Sequence, residues 1–117
     1  MSHRVHSDLY RVPKSMPDPG DGGTIRVSED LQILEMVSAG AETRTLAAPT
    51  KPGIRVVLRL MTDGGDLTVE AENGFNSAGD TVATFADVGD VLSLISVSTA
   101  TGYRWELSEG NTGVALA

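Results

Sequence analysis

The sequence predicts an all-β fold: a compact antiparallel sandwich or barrel of about eight or nine short strands behind an extended N-terminal arm. Three observations carry this. Several short runs alternate apolar and polar residues with period two, which places one apolar face on each strand. Thirteen glycines and five prolines punctuate 117 residues, a density that suits turns better than helices. Within the body, Gly-Asp recurs at 65–66, 79–80 and 89–90, each time just ahead of a strand-like run. Glycine reaches turn dihedrals that other residues resist, and an Asp side chain bonds its own nearby backbone.

In chain order, weak strand signals fall first at 25–28, 33–37 and 43–48, and a short helix over 29–37 is the one helical alternative. Ile54, Val56, Leu58 and Leu60 share a face, with Arg55 and Arg59 on the other. Leu67, Val69 and Ala71 alternate with Thr68, Glu70 and Glu72. The stretch Asp63-Gly64-Gly65-Asp66 between these two runs reads as a tight hairpin turn. Further strands are expected at 81–85, 91–97, 103–108 and 113–116. In 91–97 the apolar phase switches, from Leu92 and Leu94 to Ile95 and Val97. That pattern fits a bulge, or a strand covered on both faces, the second cover coming from a neighbouring subunit. Tyr103, Trp105 and Leu107 alternate with Arg104, Glu106 and Ser108, so the single tryptophan sits in a core or subunit-seam phase.

The chain divides near residue 24, into an arm over 1–23 and a β-body over 24–117. Pro13, Pro17 and Pro19 fix φ and cannot donate to a sheet ladder, and Gly20, Gly22 and Gly23 loosen the backbone at the junction. Alone, such a segment buries too little surface to offset its ordering entropy, so it is a free tail or orders against another molecule. Charge divides the same way. Residues 1–14 carry Arg4, Arg11 and Lys14 against Asp8, a net +2; the remainder has six basic and fifteen acidic side chains, a net −9. An acidic body argues against nucleic acid, because phosphate contact needs a basic face. No apolar run reaches the length of a membrane span, and the polar start lacks a signal-peptide core. A soluble protein made in the cytoplasm, with no membrane partner, is expected.

Chemistry-bearing motifs are few. There is no cysteine, so no disulfide or thiolate metal site is expected. His3 and His6 are the only histidines and lie in the arm without a second ligand pair. Asp63, Asp66 and their glycines resemble a calcium turn, but the nine-residue calcium repeat is missing, and ordinary turn chemistry explains them. Glu70 and Glu72 share a polar strand face, where carboxylates are solvated rather than opposed in a cleft. No GxSxG elbow, P-loop or dinucleotide fingerprint appears. Lys51 is the only lysine of the body, and no histidine there can act as a base. Catalysis is not expected, and neither a cofactor nor a metal is.

The C-terminal pattern GDTVATFADVGDVLSLISVSTATGYRWELSEGNTGVAL resembles a recurring piece of tailed-phage virion proteins. It shows a Gly-Asp turn, a strand ending in Leu-Ile, a small turn and a Trp-containing strand. The preceding RTLAAPTKPGIRVVLRLMTDGGDLTVEA has the same style, so the resemblance covers about residues 44–116. It points to phage head decoration (cement) proteins or related trimeric β-domains of the virion. The resemblance implies a β-body seated on the capsid surface as a homo-oligomer, a trimer for preference, with the major capsid protein as partner. It also implies an arm reaching onto the shell, for which Leu9, Tyr10, Arg11 and Val12 are the anchor candidates, since aromatic and Arg residues dominate interface energetics. Trp105, Tyr103, Leu107, Ile95 and Val97 are the candidates for core or subunit seam. The alternative is a receptor- or glycan-binding domain of a fibre or spike. That reading requires exposed aromatics, and Tyr10, Phe75, Phe85, Tyr103 and Trp105 are all the chain has. An adaptor or tail-completion protein, or a cellular β-sandwich without a virion role, is the third reading.

Overall fold

The first six strands alternate between two sheets. The computed structural model describes residues 12–117, apart from the side chain of residue 109. The strands are β1 (Lys14–Met16), β2 (Thr24–Ile25), β3 (Gln32–Ser38), β4 (Glu42–Leu46), β5 (Arg55–Asp63), β6 (Leu67–Ala71), β7 (Val82–Phe85), β8 (Val91–Thr99), β9 (Gly102–Thr112) and β10 (Ala115–Leu116). One sheet has the order β1-β3-β5-β8-β9 and the other β10-β7-β6-β4-β2. Among the described residues no helix forms, and so none is long and apolar enough to cross a membrane.

The pairing corrects the antiparallel expectation: both sheets are mixed. β1, β3 and β5 run parallel, as do β2, β4 and β6, whereas β7 to β10 pair antiparallel. Parallel neighbours need a long crossover, and here the strand of the opposite sheet supplies it. The first six strands therefore wind as stacked coils, each contributing one strand to each sheet. The ladder continues through the corners: Gly64 N–H donates to Ser38 O at 2.8 Å, Glu42 N–H to Asp66 O at 3.1 Å and Leu31 N–H to Arg55 O at 2.9 Å. The barrel alternative is not what forms, because the two sheets stay separate and face each other across one core.

The Asp63–Asp66 turn is likewise a corner rather than a hairpin, since β5 and β6 lie in different sheets. Its glycines serve close stacking. A Cβ on Gly64 would lie 2.6 Å from the carbonyl carbon of Ala39, and one on Gly65 would lie 2.5 Å from that of Gly40. The 29–37 stretch is strand and not helix. Leu31 enters it at φ 64°, the left-handed region that a branched side chain resists.

In β5 and β6 the inward residues are those that alternation selected, whereas in β9 Trp105 alone of its phase is buried. Leu34, Met36, Val56, Leu58, Leu60, Leu92, Leu94 and Trp105 from one sheet meet Ile25, Leu46, Leu67, Val69, Ala71, Ala83 and Phe85 from the other, with Phe75, Ile54 and Val114 closing the ends. Each large side chain so buried contributes about 1.5–3 kcal/mol. The apparent phase switch in β8 is not a switch in direction. Leu92, Leu94 and Ser96 all face inward, and the Ser96 hydroxyl donates to Lys51 O (2.8 Å) and accepts from Ile54 N–H (2.8 Å). The irregularity sits opposite, where Ser93 pairs with Gly110 but Leu94 with Leu107, so β9 carries the extra residues.

Of the segment read as an arm, residues 1–11 lie outside the described residues. Residues 14–16 form β1 beside β3.

Candidate interaction surface

The N-terminal segment is tied to the body by a buried ion cluster. Arg44 lies in the inward phase of β4 with its side chain fully buried. Its Nε donates to Asp18 Oδ1 at 2.8 Å and its Nη2 to Asp18 Oδ2 at 3.0 Å, a bidentate pair. Nη1 donates to Glu42 Oε1 at 2.9 Å, and Nη2 also to Val37 O at 3.0 Å. Asp18 in turn accepts from the backbone N–H of Val37 and Gly20. Burial works against the Asp18 carboxylate. The hydrogen bonds from Arg44, Val37 and Gly20, with the guanidinium charge, outweigh it and hold its pKa below the usual carboxylate value. The bond to Asp18 raises the Arg44 pKa against its own desolvation, with Glu42 adding to the effect.

Beyond that cluster the chain meets the outer face of the β1-β3-β5-β8-β9 sheet. Ile33 pairs with Val57, and Val57 with Ser93; Ile95 pairs with Arg55 and Glu106, and Val97 with Arg104. Ile33, Val57, Val91, Ile95 and Val97 are all half-buried there, so this outward face carries an apolar row instead of a purely polar one. Ion pairs cross it: Arg55 Nη2 to Asp30 Oδ2 at 2.8 Å, Arg59 Nη1 to Glu35 Oε2 at 3.1 Å and Arg104 Nη2 to Glu106 Oε1 at 2.9 Å. Two shallow depressions of about 230 and 240 Å³ open where the N-terminal segment reaches this sheet. Pro13, Arg55, Val57 and Ser93 line the first, Val12, Lys14, Glu29 and Asp30 the second, and Leu31 borders both. The strained Leu31 backbone thus stands at the meeting point of the two recesses. A third, more open recess of about 340 Å³ lies at the start of β9, between Asn73, Thr99, Thr101, Tyr103 and Arg104.

The expected residues separate into three places. Leu9, Tyr10 and Arg11, like His3 and His6, lie outside the described residues. Val12 is described and is 79% exposed beside the second depression. Trp105 is core, 1% exposed, with its indole N–H donating to Ala47 O at 3.0 Å across to the other sheet's loops. Tyr103 and Leu107 share its phase but lie at the sheet edge, the first half-buried and the second exposed. Ile95 and Val97 face the opposite way, on the outer apolar row. Asp63 and Asp66 are turn residues; the Asp63 carboxylate accepts Gly65 N–H at 3.0 Å. Among the described residues no cluster of three or more acidic or histidine side chains could hold a metal. Glu70 is exposed, and Glu72 accepts the N–H of Ala48 at 2.9 Å.

Sequence reasoning missed Arg44 and Asp18. The signal was present in Thr43-Arg44-Thr45-Leu46, where alternation puts Arg44 in phase with Leu46. A charge in a core phase calls for a partner, but nothing local says that the partner lies 26 residues earlier. No family model matches this chain, and a search of curated proteins finds no match.

Proposed function

We propose that this protein is a structural virion component that binds the outside of a phage capsid and stabilises it, acting as a homo-oligomer. In this reading the body is a rigid β-sandwich, and residues 1–11 continue from it as the arm that docks on the major capsid protein. The observation that carries the reading is the outer face of the β1-β3-β5-β8-β9 sheet. An apolar row with interleaved Arg–carboxylate pairs runs beside the point where Val12 leads into the N-terminal segment. Such a face suits a broad, shallow contact in which apolar residues supply burial and charges set register. A specific contact of this kind buries about 1,200–2,000 Å², so the arm and the face are needed together. Linked copies gripping adjacent shell sites add avidity without new contacts.

The test is co-sedimentation with undecorated capsids. Full-length protein pellets with them, a variant lacking residues 1–11 does not, and Ile95→Asp on the folded body weakens binding at least about tenfold. Equal pelleting of all three overturns the reading. A second reading, a glycan-binding fibre or spike domain, is favoured by the recess at Asn73, Thr101, Tyr103 and Arg104, where one aromatic edge stands among polar groups. Saccharide-induced change in tyrosine and tryptophan emission, lost in Tyr103→Ala, would support it in place of the capsid role.

A further inference from the structure

Among the described residues, the backbone of β9 has a free side. Ser96 N–H donates to Ile54 O and Gly53 N–H to Ser96 O, so the Ser96 backbone is turned toward β5. Its neighbours Ile95 and Val97 therefore face β9 and pair with Glu106 and Arg104. By alternation, the N–H and C=O groups of Tyr103, Trp105 and Leu107 point away from β8. Among the described residues only one of these has a partner, Tyr103 O, which accepts from the Asn73 amide at 2.8 Å. An open edge of this kind is a template for another strand, and proteins usually guard it with Lys, Pro or a very short strand. β9 has eleven residues and neither Lys nor Pro. The irregularity at Ser93/Leu94 confines the open part to residues 103–107, with Asn73 already on one lone pair of Tyr103 O.

We propose that two copies of this chain join along β9, antiparallel about a twofold axis at Trp105, making one continuous sheet. The side chains set the register. With Trp105 opposite Trp105 of the second copy, Arg104 lies opposite Glu106 and Tyr103 opposite Leu107, and each pair occurs again across the axis. Trp105 N–H and C=O bond their counterparts, and Leu107 N–H donates to Tyr103 O, whose second lone pair leaves the Asn73 contact in place. Residues 104 and 106 then face each other in the closer, non-hydrogen-bonded pairing, with Cβ atoms about 4.5–5.5 Å apart. One further observation fits. Leu107 shares the core phase yet is 37% exposed, and a facing Tyr103 would cover it. Arg104 and Glu106 already pair within each chain at 2.9 Å, and this register lets the two pairs merge across the axis, which favours a second copy as the partner over an unrelated strand. This pairing does not depend on the capsid reading.

The contact is short, so the dimer is concentration-dependent, near the weak end of specific interfaces. Sedimentation velocity on the full chain over about 10 µM to 1 mM reads it. A mass rising from one chain to two is expected. Arg104→Glu sets carboxylates opposite each other on both sides of the axis and weakens the dimer at least about tenfold; the swap R104E/E106R restores it to within a few-fold. Leu107→Lys guards the edge and gives a folded monomer by circular dichroism. A single-chain mass throughout, a threefold mass, a folded swap that stays dissociated, or unchanged association in Leu107→Lys would each overturn the proposal.

Discussion

Replacing Asp18 with Ala removes the bidentate acceptor of a fully buried guanidinium and leaves Arg44 with Glu42 Oε1 and Val37 O. Breaking a buried ion pair from one side costs about 3–5 kcal/mol, because the remaining charge stays desolvated. Asp18 is itself 18% exposed and Glu42 remains in place, which puts the expected loss at the low end, about 3 kcal/mol. For a domain of this size that is a fall in Tm of about 10 °C. Urea unfolding followed by Trp105 emission measures it, with the midpoint shifted and the slope unchanged. The companion variant D18A/R44M removes both charges and should recover much of the loss, since an apolar side chain of similar length fills the Arg44 site. A loss under about 1 kcal/mol in Asp18→Ala, or no recovery in the double variant, would refute the claim that this cluster ties residues 12–23 to the body.

Acid titration gives a second check. The folded Asp18 pKa lies below the ordinary value of 3.8, so its contribution is complete above about pH 4 and fades as pH falls through the folded value. Asp18→Asn should therefore flatten the rise of stability with pH at the acid end, and an unchanged slope there would contradict it. Trp105→Ala should cost about 3–5 kcal/mol and leave Ala47 O without its donor, and the native protein should show blue-shifted, quencher-protected emission. Gly64→Ala drives a Cβ into the backbone of Ser38 and Ala39, so a loss of about 1–3 kcal/mol is expected, whereas Gly79→Ala meets only the strain of its positive φ because nothing lies within 4 Å. Equal melting of Gly64→Ala and the native protein would argue against the stacked corners.

The longer strands of the second half were legible because each carries its own period. The Ile54–Leu60 and Leu67–Ala71 alternations read directly as the inward rows of β5 and β6, and Trp105 was in the core phase. Pairing was not legible, because it depends on partners a full coil away. Asp63-Gly64-Gly65-Asp66 has the composition of a hairpin turn, and the same glycines also serve a corner packed on residues 39–41. Only the three-dimensional stack distinguishes the two. β1 was hidden by its flanking prolines: Lys14–Met16 has no alternation, and it is held by β3 and, through Asp18, by Arg44. In β8 both apolar phases are real: Leu92 and Leu94 face inward with Ser96, which satisfies its hydroxyl there, while Ile95 and Val97 face out. That outward phase is also what gives the outer face its apolar row.

In the proposed role, the protein works by covering a larger assembly through this face and the segment leading from it. Co-sedimentation of full-length protein and of the variant lacking residues 1–11 with undecorated capsids tests that role most directly. Saturable binding by the first and none by the second, both folded, is the predicted result; no binding by the full chain, or equal binding by both, would contradict it.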